Sequence, residues 1–312
     1  MTEDSTPELT VVVALVSGEV DRLRVCLTAL EAQRFPGLEI LVPYDDPVSD
    51  VTSLSGEFPL VEFIHAEGLD TSLARSGASR EHHDSIRTVG LRRARGRVVA
   101  MLEDVGEADS GWCRGLLDAL DRHPNAGVVG GGMGCKSKSL LNRAVCLSDF
   151  WRYQLPIPEM MSPFVSDANL AYRHEVLSSL QDVWENDFHE TVVNGALLER
   201  GHEIWLTSDA AVFQQRGRLR LKDVVRERVV WGRSYAGTRV DGISMSRRLI
   251  YAALCPLLPF VLASRVVRIA WQRGSFWSGC LPVMPIVFTL FLIWSYGEVL
   301  GYISGRAVKP AS

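Results

Sequence analysis

Between residues 9 and 135 the chain alternates between two hydrophobic periods, and this alternation restricts the possible folds more than any other feature. LTVVVALV (9–16) is a continuous β-branched run of the kind found in strands buried on both faces. Val20, Leu23, Leu27 and Leu30 then recur at helical spacing until Phe35-Pro36-Gly37 stops the helix. LEILVPYDD (38–46), VEFIHA (61–66) and RVVAML (97–102) read as further strands. The pattern expects helices over about 80–95 and about 110–122. AGVVGGG (126–132) reads as a last strand entering a glycine turn. GGGMG (130–134) opens no helix as a phosphate loop would, so it reads as a turn that lets the backbone approach a substrate. Alternating strands and helices imply an α/β fold, a mostly parallel sheet with helices on both faces.

In such sheets ligands bind beyond the carboxyl ends of the strands. Asp45 and Asp46 end the second strand, and Glu103 and Asp104 end the fourth, so folding gathers two acidic pairs at one edge. Carboxylates gathered in this way repel each other unless a cation or hydrogen-bond donors intervene. Mg²⁺ or Mn²⁺ with a phosphate ligand is one such cation. The plainer alternative is that Asp104 or Asp109 turns the chain or caps the next helix, and for Asp109 the cap is preferred. His82 and His83 fall on different helix faces with no spaced third ligand, which favours surface or hydrogen-bonded histidines. The six cysteines form no CxxC pair and have no histidine at zinc-ligand spacing, so they read as buried thiols in a reducing compartment.

Charge divides the chain. Residues 1–246 carry 26 Lys/Arg against 36 Asp/Glu, while residues 247–312 carry seven against the single Glu298. An acidic body argues against a nucleic-acid partner, and a basic apolar tail points to a membrane. Residues 274–297 are free of charge for 24 positions, more than the ~20 needed to cross a bilayer core. Residues 249–264 are free of charge for sixteen and contain Pro256 and Pro259, so they are expected either to lie in the interface or to reach full length past Arg265 and Arg268. Trp271, Trp277, Trp294, Tyr296 and Tyr302 fit interfacial anchors. MTEDSTPELT lacks the basic and apolar regions of a secretory signal, which places the body in the cytoplasm at a cytoplasmic membrane. The run RGRLRLKDVVRER (216–228) reads either as an amphipathic helix on an anionic leaflet or near a lipid diphosphate, or as a solvated, salt-bridged helix.

Four segments in order carry a family resemblance over roughly residues 9–236. VVVALVSGEVDRLRVCLTALEAQRFPGLEILVPYDD resembles the opening of family 2 glycosyltransferases of GT-A (Rossmann-like) fold. SIRTVGLRRARGRVVAMLEDVGEADSGW is similar to the stretch in which that family leads into its Asp-x-Asp motif. VSDANLAYRHEVL (165–177) resembles its acceptor-side segment, and FHETVVNGALLERGHEI (188–204) the segment that carries its base. The resemblance implies a catalytic domain over 1–240 and a membrane-associated helical hairpin over 241–312. It implies that Asp45, Asp46 and Arg87 contact the nucleotide, and that Glu103 and Asp104 hold Mg²⁺ or Mn²⁺ and diphosphate. Glu190, eleven residues before Gly201, takes the place of the catalytic base, with Asp187 as fallback. Asn169, Arg173, Arg228 and Trp231 fall on the acceptor side.

The chain departs from the family pattern at three positions. Val105 replaces a carboxylate, Thr88 an asparagine, and Gln214 a frequent metal-binding histidine. The activity implied is transfer of a sugar from a nucleotide sugar to a hydroxyl of a lipid or lipid-linked glycan. A carboxylate base and a single displacement would invert the anomeric carbon. The departures motivate a competing expectation, a catalytically silent membrane-bound binding or scaffold protein. A nucleotidyl transferase ranks last, because VSGEVDR offers no glycine-rich, basic phosphate loop.

Overall fold

The computed structural model describes residues 6–67, 79–237, 239, 240 and 242–305, the side chains of 79–82 excepted. The side chain of His82 lies outside the described residues. The described chain forms two compact units. The first comprises residues up to 67, 80–136 and 153–215, and the second comprises 137–152 and 216–305.

In the first unit, nine strands among the described residues form one mixed sheet. They are β1 (Leu9–Ala14), β2 (Leu38–Tyr44), β3 (Val61–His65), β4 (Val98–Glu103), β5 (Gly106–Ala108), β6 (Ala126–Cys135), β7 (Met160–Met161), β8 (Asn169–Arg173) and β9 (Glu203–Gln214). Their order is β3-β2-β1-β4-β8-β6-β9-β5, with β7 beside β9. β3, β2, β1 and β4 are mutually parallel, β8 runs against β4 and β6, and β6 and β9 are parallel again. All six residues of β1 are buried, as the unbroken apolar run requires. Helix α1 (Val20–Glu31) buries Leu23, Cys26, Leu27 and Leu30, the i, i+3, i+4, i+7 stripe that anchors it, each side chain contributing about 1.5–3 kcal/mol for the large aliphatics. Helices α2 (Ser79–Arg93) and α3 (Trp112–Arg122) occupy the two segments expected from the pattern.

Two local expectations are corrected. Residues 130–134 do not turn, because all of them lie within β6. Glycine is needed there for close packing: a Cβ on Gly131 would stand 1.7 Å from the carbonyl oxygen of Ala210 and 2.4 Å from Asn169 Nδ2. Asp109 does not cap α3 with its side chain. Gly111 takes the N-cap with φ of 80°, and the Asp109 carbonyl accepts from Trp112 N–H at 3.2 Å.

The second unit is helical. It holds α4 (Leu140–Phe150), then, after the first unit's α5 (His174–Ser179), α6 (Gln181–Trp184) and α7 (Glu190–Glu199), α8 (Leu221–Gly237), α9 (Met245–Leu254), α10 (Leu258–Gln272) and α11 (Met284–Ser304). Two continuous helical segments, Met245–Gln272 and Phe276–Ser304, are long and apolar enough to cross a membrane. The basic run 216–228 enters α8, which lies against α11 and buries Val224, Arg228, Gly232 and Ala236. Within the run Val224 and Arg228 are buried, while Arg218, Arg220, Lys222, Asp223 and Arg226 are exposed.

Candidate active site

The strand order sets the carboxyl ends of β2, β1 and β4 side by side, and the acidic pairs follow two of these ends. Asp104 is 1% exposed and faces the loop after β1. Its Oδ1 accepts from the N–H groups of Val16 and Ser17, both at 3.1 Å. Its Oδ2 accepts from the Ser17 hydroxyl at 2.6 Å and from Gly18 N–H at 2.9 Å. Burial pushes the Asp104 carboxyl above its ordinary pKa, and the Ser17 hydroxyl with the N–H groups of Ser17, Gly18 and Val16 pulls against that rise. The carboxylate thus clamps the β1–α1 loop. Asp104→Ala, which strands these donors, is expected to lower unfolding stability by about 3 kcal/mol, and Asp104→Asn by roughly half as much, as read by thermal denaturation.

Its neighbour Glu103 belongs to a second constellation, centred on Arg87 of α2. Arg87 is 3% exposed and pairs with Asp84 at 3.2 Å, Glu103 at 3.4 Å and Asp167 at 3.2 Å. Burial works against the charged guanidinium, but Asp167, Glu103, Asp84 and Glu190 outweigh it and push its pKa above the ordinary arginine value. Glu190 opens α7, and its Oε2 accepts from Asp167 N–H at 3.3 Å. Phe188 and Trp184 beside it are buried, and Tyr172 donates to Asn194 Oδ1 at 2.6 Å. Burial, followed by the charges of Glu190 and Asp167, drives the Tyr172 phenol well above its usual range. His189 lies 3.5 Å from Asp84. Asp187, the fallback base, is exposed and accepts from the Ser85 hydroxyl at 2.5 Å. Sequence reasoning did not single out Asp84, Asp167 or His189. The available signal was that Asp167 lies two residues before β8, as Glu103 ends β4.

The remaining expected residues divide between binding edge and framework. Asp45 is buried at the end of β2, while Asp46 is exposed and meets His65 Nε2 at 2.8 Å. Asn169 is fully buried. It accepts from Trp112 Nε1 at 2.9 Å and donates to the carbonyls of Gly132 and Ala210 at 3.1 and 2.9 Å. Arg173 donates to the carbonyls of Ala126 at 2.9 Å and Leu120 at 2.6 Å, which ties down the end of α3. These bonds tie both residues into the sheet and its neighbouring helix. Thr88 donates to the Asp84 carbonyl at 3.1 Å, and Val105 is a core residue at 3% exposure, so a carboxylate in its place would be buried. Gln214 is buried at the end of β9.

Arg228 and Trp231 belong to the second unit. Arg228 Nη1 contacts Asp149 Oδ1 at 2.5 Å, and its guanidinium sits 5.6 Å from the Trp231 ring centre. Burial alone would raise the Asp149 pKa, but Arg228 and Arg216 hold the carboxyl below the usual carboxylate range. A depressed carboxylate stabilises the fold above its unfolded pKa of about 3.9, and that contribution is lost as pH falls through the lower folded value. Tryptophan fluorescence of the wild type is accordingly expected to report acid loosening of the helical unit below about pH 4, with the transition shifted or absent in Asp149→Asn.

Among the described residues no group of three or more His, Cys, Asp or Glu side chains is arranged to hold a metal ion. Glu103 faces Arg87, and the Asp104 oxygens are taken by residues 16–18. In this arrangement the pair does not fit a divalent ion.

No protein-family model and no curated protein sequence matches the chain. Among solved structures it is similar to S. aureus TarS 1–349 in complex with UDP-GlcNAc, with 14% identity and a TM-score of 0.47, over 96% of this chain and 92% of that one. It is also similar to S. aureus TarS 1–349 alone, with 13% identity and a TM-score of 0.46, over 94% and 90% of the two chains.

Proposed function

We propose that the protein is a membrane-attached glycosyltransferase that moves a sugar from a nucleotide-diphosphate sugar to a hydroxyl of a lipid or lipid-linked glycan, at the cytoplasmic face. One observation carries this reading: Asp167 and Glu103 pair with the buried Arg87 beside the carboxyl edge of the sheet, and Glu190 accepts from the Asp167 N–H. The family resemblance independently expects a base and a donor site there. Glu190 takes the proton from the acceptor hydroxyl, whose oxygen attacks the anomeric carbon. The bond from that carbon to the diphosphate breaks on the opposite face, and the diphosphate leaves with the electron pair, so the product is inverted. Arg87 orients the carboxylates, Asp45 and Asp46 flank the nucleotide, and the clamp of Asp104 shapes the loop beside it.

The test is calorimetric titration of the detergent-solubilised protein with UDP and GDP, each with Mn²⁺, with Mg²⁺ and with chelator. Nucleotide binding is expected, together with turnover that falls at least a hundredfold in Glu190→Gln while nucleotide affinity stays within about twofold. A second reading, a catalytically silent binding or scaffold protein, is favoured by the engaged Asp104 and the core position of Val105. Failure of the folded protein to bind either nucleotide under all three conditions would replace the first reading with the second.

A further inference from the structure

Length and hydropathy alone make the two C-terminal helical segments candidates to cross a bilayer, yet their neighbours within the second unit set a different constraint. One face of helix α11 packs against α4 and α8, which carry charged residues. Near its start, Val283, Val287 and Leu290 cluster with Ala144 and Val145 of α4 and Val224 of α8. Further along, α8 and α11 touch backbone to backbone: a Cβ on Gly297 would stand 2.5 Å from the Val229 carbonyl, and one on Gly301 2.5 Å from that of Arg233. The turn between the two apolar segments is tied down as well. Arg143 of α4 donates to the Ser278 carbonyl at 2.9 Å, and Arg273 donates to the Arg152 carbonyl at 2.8 Å. At the other end Arg248 donates to the carbonyls of Tyr302 and Ile303 at 2.9 and 3.1 Å.

A hairpin that crossed the membrane would therefore have to carry α4 and α8 with it. Those helices bear the exposed Lys222, Asp223 and Arg226 and the half-buried Arg143 and Arg233, and charged side chains in hydrocarbon are costly. The opposite side of the hairpin has no such burden. Ile250, Leu254, Leu257, Phe260, Trp271 and Trp277 are all more than half exposed, an accumulation of large apolar side chains that calls for an apolar partner. Arg247, Arg265 and Arg268 are exposed among them, and the single acid of residues 242–305, Glu298, is buried. We infer that the two apolar segments lie in the plane of one anionic leaflet, as a monotopic platform with α4 and α8 on its water side, and do not cross the bilayer. The exposed arginines supply the complementarity to anionic headgroups, and the tryptophans fit the interfacial zone. This inference is independent of the glycosyl-transfer reading.

The test uses the full-length protein produced in bacterial cells, with Ser246→Cys near the start of the hairpin or Ser278→Cys at its turn, and a membrane-impermeant maleimide applied to intact spheroplasts and to inside-out vesicles. The expected result is that both positions react on the same face of the membrane. Reaction on opposite faces, or protection of Ser278→Cys from both sides, would overturn the inference. In flotation, the purified protein is expected to bind phosphatidylcholine vesicles containing phosphatidylglycerol more tightly than vesicles of phosphatidylcholine alone. The triple variant Arg247→Gln, Arg265→Gln, Arg268→Gln should lose about a hundredfold in partition to the anionic vesicles only. Equal binding to both vesicles by the wild type, or self-association without vesicle binding, would also overturn it.

Discussion

Arg87→Met is expected to lower the stability of the protein by about 3–5 kcal/mol, enough to shift thermal unfolding by roughly 10 °C. The size of the effect follows from what is left behind. Asp84 is 1% exposed, and Glu103 and Asp167 are largely buried, so deletion of their shared cation leaves several carboxylates in a poorly solvated space. Breaking a buried pair on one side costs far more than replacing the whole group by apolar residues. Arg87→Lys should recover part of the loss, because an ammonium restores the charge but not the forked geometry that reaches three partners. Mild acid should narrow the gap between Arg87→Met and wild type, since protonation relieves the repulsion. A variant within about 1 kcal/mol of wild type at neutral pH would show that the carboxylates around Arg87 are hydrated rather than dependent on it.

Gly297→Leu is expected to be the most damaging single change in the helical unit. The added Cβ would meet the Val229 carbonyl at 2.5 Å and the Arg233 amide nitrogen at 3.1 Å, both backbone atoms that cannot swing aside. Helices α8 and α11 must then separate, at a cost of about 3 kcal/mol or more, with rapid proteolysis near residues 215–245 as the readout. Gly195→Ala in α7 provides the contrast. A Cβ there has nothing within 4 Å, so removal of a helical glycine should stabilise by up to about 1 kcal/mol. If both substitutions were equally tolerated, the close approach of α8 and α11 would not exist in solution.

Much of the sheet was legible from periodicity. The strands expected at 9–16, 38–46, 61–66 and 97–102 are found at Leu9–Ala14, Leu38–Tyr44, Val61–His65 and Val98–Glu103. Runs of β-branched residues and i, i+3, i+4 stripes are local signals, and burial on both faces leaves few other ways to satisfy them. The glycines of β6 misled for a physical reason: a glycine that permits a turn and a glycine that permits close packing read alike until Ala210 and Asn169 are in place. The framework bonds of Asn169 and Arg173 were equally illegible, since a side chain that bonds backbone carbonyls far away in the chain looks in sequence like one that awaits a ligand.

By itself the sequence determined the alternation of strands and helices, the gathering of Asp45, Asp46, Glu103 and Asp104 at strand ends, and the two apolar segments of the tail, because each depends on residue type at short spacing. Only the tertiary structure decided what those groups do to one another. Asp104 meets Val16 across 88 positions, Glu103 shares Arg87 with Asp167, and α11 packs against α4 and α8. Such pairings depend on strand order and helix contact, which bring together residues far apart in the chain, and local propensity carries no record of the partner.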